Sequence, residues 1–335
     1  MKILFIGGTG TISSSITKLI AATNGLELTV LNRGNKVVAL PENVRQITAD
    51  ISDEFPVREA LGSESYDVVA DFIAFLPEQV ERDIRLFQNR CKQYIFISSA
   101  SAYQKPLSQF LITESTPLAN PYWQYSRDKI ACEEVLMRAY RDCAFPFTIV
   151  RPSHTYADGA VPLAIHGKTG PWSELKRMLD NKPVIVPGDG QTLWTVTHST
   201  DFAKAFVGLL GNVHAIGEAV HITSDESLTW NQIYETVGAA LGVKPNLVHV
   251  SADMLIALDP ELSGGLLGDK SHSVVFDNSK IKRLVPGFGA MMRFDQGIRQ
   301  SIDCLLTRPE LMIEDPEWDA FIERVLKKVD RFIRE

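Results

Sequence analysis

The sequence is short of the features that would direct a chain to a membrane, a metal or a nucleic acid. No stretch reaches the roughly 20 uninterrupted apolar residues of a bilayer span. The apolar start MKILFI runs straight into glycines, without the basic segment and small-residue cleavage site of a secretory signal. Cysteine is scarce: Cys91, Cys132, Cys143 and Cys304 form no CxxC pair, which argues against a disulfide framework or a thiolate metal site. His214, His221, His249 and His272 have no ligand-like spacing either, so no metal is expected. Positive charge is in deficit, 34 Lys and Arg against 41 Asp and Glu, and the net charge of -7 argues against general binding to a phosphate backbone. There is no repeat of fixed period and no low-complexity tract. The expectation is a soluble, cytoplasmic protein that handles a small molecule, with no nucleic-acid or membrane partner.

What is present is ordinary globular composition, 45% hydrophobic and 22% charged over 335 residues, enough for two domains. The first half alternates short runs rich in Val, Ile and Phe with segments of helical period. Residues 3–7, 28–32, 45–50, 67–74, 94–99 and 147–152 read as buried strands. TISSSITKLIAAT, PEQVERDIRLFQNR and RDKIACEEVLMRAYRD read as the helices between them. Such alternation implies an α/β fold, a Rossmann-type doubly wound parallel sheet with helices on both faces. After Pro152 the pattern breaks into clusters of Gly, Pro and Trp, read as loops over the sheet's open edge. HSTDFAKAFVGLL (198–210) and AVHIT (219–223) return as a helix and a strand. From about Leu228 the chain is mostly helical, with a glycine-rich patch LSGGLLG at 262–268. The expected nucleotide domain is 1–152 plus about 198–224. A smaller substrate domain takes about 153–197 and 225–335. The closing run EWDAFIERVLKKVDRFIRE reads as a solvated amphipathic helix.

GGTGTIS (7–13) follows a predicted strand and opens a predicted helix, the context that a dinucleotide-binding loop requires. Gly7 or Gly8 permits the tight turn, and Gly10 lets backbone amides approach a pyrophosphate. The helix that starts near Thr11 and Ile12 aims its positive end there. Ser13 stands where Gly or Ala is usual and is small enough to fit. At the end of the second strand an acidic residue would select NAD, by bonding the ribose 2′-hydroxyl; this chain has Asn32 and Arg33 instead, which favours NADP. An exposed loop charge is the alternative for Arg33. Asp50 and Ile51 close the third strand, where a carboxylate can accept from an adenine amino group while the isoleucine packs on the ring. An Asx turn at Asp50 explains the same residues.

Tyr125 and Lys129 are four apart at the start of a helix and share one face. The lysine ammonium, and the positive charge of an oxidised nicotinamide, each favour phenolate and lower the tyrosine's pKa. Such a tyrosine exchanges a proton with a substrate hydroxyl near neutral pH. YxxxK alone is a weak signal; with the glycine loop upstream and the serine-rich strand end ISSASAY between them it becomes a strong one.

At this point the sequence resembles the extended branch of the short-chain dehydrogenase/reductase superfamily, the NAD(P)-dependent epimerase/dehydratase-like enzymes. The resemblance runs through GGTGTIS, LNRG, TADI, ISSASAY, YSRDK, RPSHTY, DGQTLWTVTHSTDFAKAF and FDNSKIKRLVPGF. It implies Ser99 as the hydroxyl that positions the substrate, Tyr125 as acid/base, and Lys129 as its modulator and a ligand of the nicotinamide ribose. It further implies Pro152 and Ser153 beside the nicotinamide, and Tyr103, His154 and Tyr156 facing the substrate. It also implies a possible homodimer through helices at 77–90 and 126–142.

The chain departs from that family in three places. Sugar-nucleotide members carry an arginine that grips a diphosphate where this chain has Trp194; Lys168 or Arg177 are candidate substitutes. Nucleotide 4,6-dehydratases follow the positioning hydroxyl with Asp-Glu, and this chain has Ala100 and Ser101, which argues against such dehydration. A pair of alanines usual beside the cofactor is replaced by Phe72, Ile73 and Ala74, with Ala74 expected to keep the close approach. His154, His198, Trp172 and Trp194 fall in the segments expected over the cleft and suit a sugar or polyol, although interdomain packing explains each equally. The leading expectation is hydride transfer between NAD(P) and a secondary carbinol or ketone carbon of a sugar or sugar-nucleotide-like substrate. The net outcome is epimerisation if the cofactor stays bound. NADPH-dependent reduction or dehydrogenation of a non-nucleotide substrate is the alternative. A non-catalytic nucleotide-sensing or RNA-binding role is the competitor from another class.

Overall fold

A computed structural model describes residues 1–34 and 39–334. Glu335, the last residue of the closing amphipathic run, lies outside the described residues. Seven parallel strands form the central sheet: β1 (Lys2–Ile6), β2 (Glu27–Asn32), β3 (Arg45–Thr48), β4 (Tyr66–Asp71), β5 (Cys91–Ile97), β6 (Phe147–Pro152) and β7 (Glu218–Ile222). Their order across the sheet is β7-β6-β5-β4-β1-β2-β3, so the order reverses at β1, where ligands of doubly wound sheets bind.

Every second side chain of a strand faces the same way, and both faces are apolar. Ile3, Phe5 and Val30 pack against Ile16 and Ile20 of α1 (Thr11–Ala21) and Phe202 and Phe206 of a helix at Ser199–Leu209. Leu4, Ile6 and Leu31 pack the other way, against Val57, Val80 and Leu136. Those three come from α2 (Glu54–Leu61), α3 (Pro77–Phe87) and α4 (Gln124–Cys143). The sequence reading did not foresee α2.

Registers bring the strand ends to one edge. Ile6 pairs Asp71, Asp71 pairs Phe96, and Ile97 pairs Val150, so Gly7, Phe72, Ser99 and Pro152 leave the sheet side by side. The segment after Pro152, expected as loops, is more ordered than that. It holds short strands at His154–Tyr156, Pro183–Pro187 and Val196–His198 and a helix, α5 (Trp172–Leu179). A third apolar core gathers Tyr103, Tyr156, Trp194, Trp230, Ile233, Phe294 and Ile298 beyond that edge. Helices predominate after residue 228, including Trp230–Ala240, Phe294–Leu306 and Pro316–Arg334.

Candidate active site

The glycine loop is built tightly. Gly7 has φ +83°, and a Cβ there would stand 2.4 Å from the Ile73 side chain. A Cβ at Gly8 would meet Val30 at 2.8 Å. Gly10 is different: its nearest neighbour would be the Ser13 hydroxyl at 3.6 Å, so the protein leaves open space where the backbone faces the cleft. Ser13 does more than fit. Its hydroxyl accepts from the Gly10 amide at 2.8 Å and donates to the Gly7 carbonyl at 2.9 Å, while Thr17 donates to the Gly8 carbonyl at 3.0 Å. The Gly10 N–H is thereby occupied, and the first helical amides, at Thr11, Ile12 and Ser13, are without intrahelical acceptors, since Ser14 makes the first helical bond, to the Gly10 carbonyl.

A cleft of about 430 Å³ opens in front of this loop. Gly7, Gly10, Thr11, Ile12, Asn32, Arg33, Ile51 and Phe72, expected from the sequence as cofactor contacts, all line it. Asp50 does not: its Oδ1 accepts from the Ser52 amide and hydroxyl, at 3.0 and 2.7 Å, in the Asx turn that was the competing explanation. Ala74 is buried away from the cleft, because the strand end turns and its carbonyl faces Lys129. Asn32 Oδ1 accepts from the Gly34 amide and from Gln46 Nε2, each at 3.1 Å, which leaves its amide NH₂ as the outward group. An open glycine cradle, the free first-turn helical amides and an apolar slot form a donor set that fits a dinucleotide pyrophosphate.

Next to this cleft lies a pocket of about 260 Å³, lined among others by Ser99, Tyr125, Pro152, Ser153, His154 and Trp194. Tyr125 is the second residue of α4, and burial raises its pKa, opposed by a hydrogen bond with Ser99. The net shift is upward, the reverse of the lowering expected from Lys129, because burial outweighs the interactions that oppose it. Lys129 lies on the stripe of α4 that meets the sheet, and its ammonium donates to the carbonyls of Ala74 and Ile97, at 2.7 Å each. The faces of Phe75 and Phe96 lie 4.4 and 4.8 Å from it. Burial still pulls its pKa down to about 8. Ser99 shares its hydroxyl with Ser101 at 2.9 Å, and Ser126 donates to Ser101 at 2.8 Å. His154 is held neutral, its pKa lowered to about 3 by burial and by the Lys270 and His166 charges.

Three other expected substrate contacts fall elsewhere. Tyr103 is fully buried and its hydroxyl bonds His221 Nδ1 at 3.0 Å. Tyr156 is buried against His198 and Phe294, and Trp172 packs on the third core. Each apolar ring is drawn into the core beyond the sheet edge. The candidate substitutes for the missing arginine fail too: Lys168 is exposed and paired with Glu261, and Arg177 is paired with Asp319 and Glu323. The cation in the pocket is Lys270, accompanied by Asp269 and Trp123, none of which the sequence reading singled out. Only the glycine run before them pointed there.

A sequence model of the NAD dependent epimerase/dehydratase family matches residues 3–223. The chain belongs to that family. Among curated members of known sequence, it is similar to a 2'-dehydrokanamycin reductase of Streptomyces kanamyceticus, 27% identical over 289 residues, covering 86% of this chain and 80% of the relative. It is also similar to a chloroplast stem-loop binding protein of Arabidopsis thaliana, 27% identical over 262 residues, 74% of this chain and 65% of the relative. Solved structures share the fold. An epimerase of Methanothermobacter thermautotrophicus matches at TM-score 0.76 with 16% identity, over 93% of this chain and 94% of that one. A UDP-glucuronic acid 4-epimerase of Bacillus cereus matches at TM-score 0.73 with 17% identity, over 92% and 99%. In this epimerase/dehydratase family protein Ser99 follows a strand end, and Tyr125 and Lys129 stand on one helix. Among the described residues no helix is long and apolar enough to cross a membrane.

Proposed function

We propose that this protein is an NADP(H)-dependent oxidoreductase acting at a secondary carbinol or ketone carbon of a carbohydrate that carries no nucleotide. The observation that carries this reading is Trp194. Where sugar-nucleotide members would have an arginine, a buried indole packs tilted against Trp230, with ring centroids 4.9 Å apart, and lines a pocket of about 260 Å³ beside Tyr125. The similarity to a reductase of 2'-dehydrokanamycin supports the same choice. Arg33 on the cleft and the outward NH₂ of Asn32 support NADP, since both are donors suited to a 2′-phosphate.

The cofactor, when bound, supplies or accepts the hydride. Tyr125 gives its hydroxyl proton to the substrate oxygen in reduction and takes it back in oxidation. Ser99 lines the same pocket and would hold that same oxygen. Lys129 brings a fixed positive charge to the strand ends, which favours the tyrosinate that reduction leaves behind.

Tyr125→Phe tests the class of protein. Turnover should fall by about 10²- to 10⁴-fold while NADPH binding is unchanged; unaltered activity would instead favour a sensing or RNA-binding role, and the Arabidopsis relative is named a stem-loop binding protein. Epimerisation is the second reading, favoured by the fold shared with the epimerase structures. Mass spectrometry of nucleotide released on denaturation separates the two. Stoichiometric NAD means an internally recycled cofactor and an epimerase. An empty protein that binds NADPH more tightly than NADH means a reductase.

A further inference from the structure

The glycine-rich stretch before Asp269 has a structural purpose. A Cβ at Gly264 would stand 2.4 Å from the Trp123 ring, and one at Gly268 would stand 2.8 Å from Trp123 Cβ. The glycines therefore let a helical segment ending in a single π-turn, Leu266–Lys270, press directly on the residue that caps α4. Two contacts fix the turn: Asn120 donates to the Gly268 carbonyl at 2.7 Å, and Trp230 Nε1 donates to the Lys270 carbonyl at 3.1 Å. The result brings Asp269 and Lys270 into the pocket that holds Tyr125.

We propose that Lys270 recognises an anionic group, a carboxylate or a phosphate monoester, on the substrate. This rests on the reading that the pocket beside Tyr125 is the substrate site. The Lys270 ammonium lies 5.4 Å from the Trp194 ring and 5.9 Å from the Trp123 ring, poised between two indoles. Its ion pair with Asp269 is loose, at 3.5 Å. Lys105 is buried as well, its nitrogen has no hydrogen-bond partner among the described residues, and burial lowers its pKa. His154 in the same pocket is held neutral. The loose pairing of Lys270 leaves its ammonium open to an incoming negative charge. A second donor waits in the same wall: the indole N–H of buried Trp194 has no acceptor among the described residues. A carboxylate or phosphate oxygen satisfies an orphaned donor where a hydrocarbon cannot. An ammonium is a point charge without the bidentate fork of arginine, which suits a compact anion better than an extended diphosphate.

The test reads binding rather than turnover, so it stands apart from the hydride-transfer reading. Tryptophan fluorescence of the NADPH-bound protein is titrated with four probes: glucuronate, glucose 6-phosphate, glucose and glucosamine. At least one anionic sugar should bind about tenfold or more tightly than glucose, the scale of a charge-assisted hydrogen bond. Which of the two it is distinguishes carboxylate from phosphate. Lys270→Met should abolish the difference and Lys270→Arg should restore most of it, which separates recognition from a folding defect. Equal binding of glucose and both anions, or an anionic preference that survives Lys270→Met, overturns the proposal. So does an absence of binding by both anionic sugars. Tightest binding of glucosamine overturns it as well and makes Asp269 the group that reads the substrate.

Discussion

The Ser13 hydroxyl accepts the Gly10 amide hydrogen at 2.8 Å across the mouth of the glycine loop. Because the same hydroxyl donates to the Gly7 carbonyl, one buried side chain closes the loop on itself. The helical amides beyond it are held facing the cleft before any ligand arrives, and such preorganisation reduces the ordering cost of binding.

Ser13→Ala should therefore weaken nucleotide binding more than it weakens the fold. Two hydrogen bonds are lost, each worth about 1 kcal/mol, so the NADPH dissociation constant should rise by up to about thirtyfold. Fluorescence titration checks this, with thermal unfolding as the control. An unchanged dissociation constant would mean that the loop holds its shape without the hydroxyl.

Lys129 links the strand ends to the chemistry through its charge. Its pKa is lowered from 10.5 to about 8 by burial, so its ammonium discharges as pH rises through about 8. Reduction rates should then fall on the alkaline side of about 8, as the charge that favours tyrosinate disappears. The stability effect has the opposite sign. Between about 8 and 10.5 the unfolded chain binds more protons than the folded one, so this group's contribution to stability grows with pH across that window. A pH–rate profile of kcat/KM for wild type and Lys129→Met checks the rate. The variant should lose the alkaline limb and run at a lower plateau; a limb that persists in it belongs to another group.

Much of this site is written locally in the sequence. Runs such as ILFI and TVL can only be strands buried on both faces, and GGTGTIS between a strand and a helix has few other uses. Tyr125 and Lys129 were legible because four residues on a helix fix their relative placement. What was not legible depends on the third core. Tyr103 and Tyr156 sit in motifs that suggest substrate contact, but both are drawn inward, since a large ring gains more by burial there than at the cleft. Lys270 was hidden for the reverse reason. It is far from Tyr125 along the chain and reaches the pocket only because Gly264 and Gly268 admit the Trp123 ring. Nothing short-range in the sequence encodes that contact.

Glu174, in α5, supplies a stability test away from the candidate active site. Its carboxyl is buried in α5, where Trp318 Nε1 donates to Oε1 at 2.6 Å and Oε2 has no partner among the described residues. Burial raises its pKa from 4.5 to about 7, although the Trp318 bond and the Arg177 charge oppose the rise. The folded protein therefore binds this proton more tightly than the unfolded chain. Its contribution to stability is fully present below about 4.5 and is lost as pH climbs through about 7. A shift of that size corresponds to on the order of 3 kcal/mol. Urea unfolding of wild type and Glu174→Gln at pH 5 and pH 8 isolates it, because other titrating groups cancel in the difference. Wild type should lose stability relative to the variant as pH rises. A constant difference between the two would mean that Glu174 keeps the same charge in the folded protein and in the unfolded chain at both pH values.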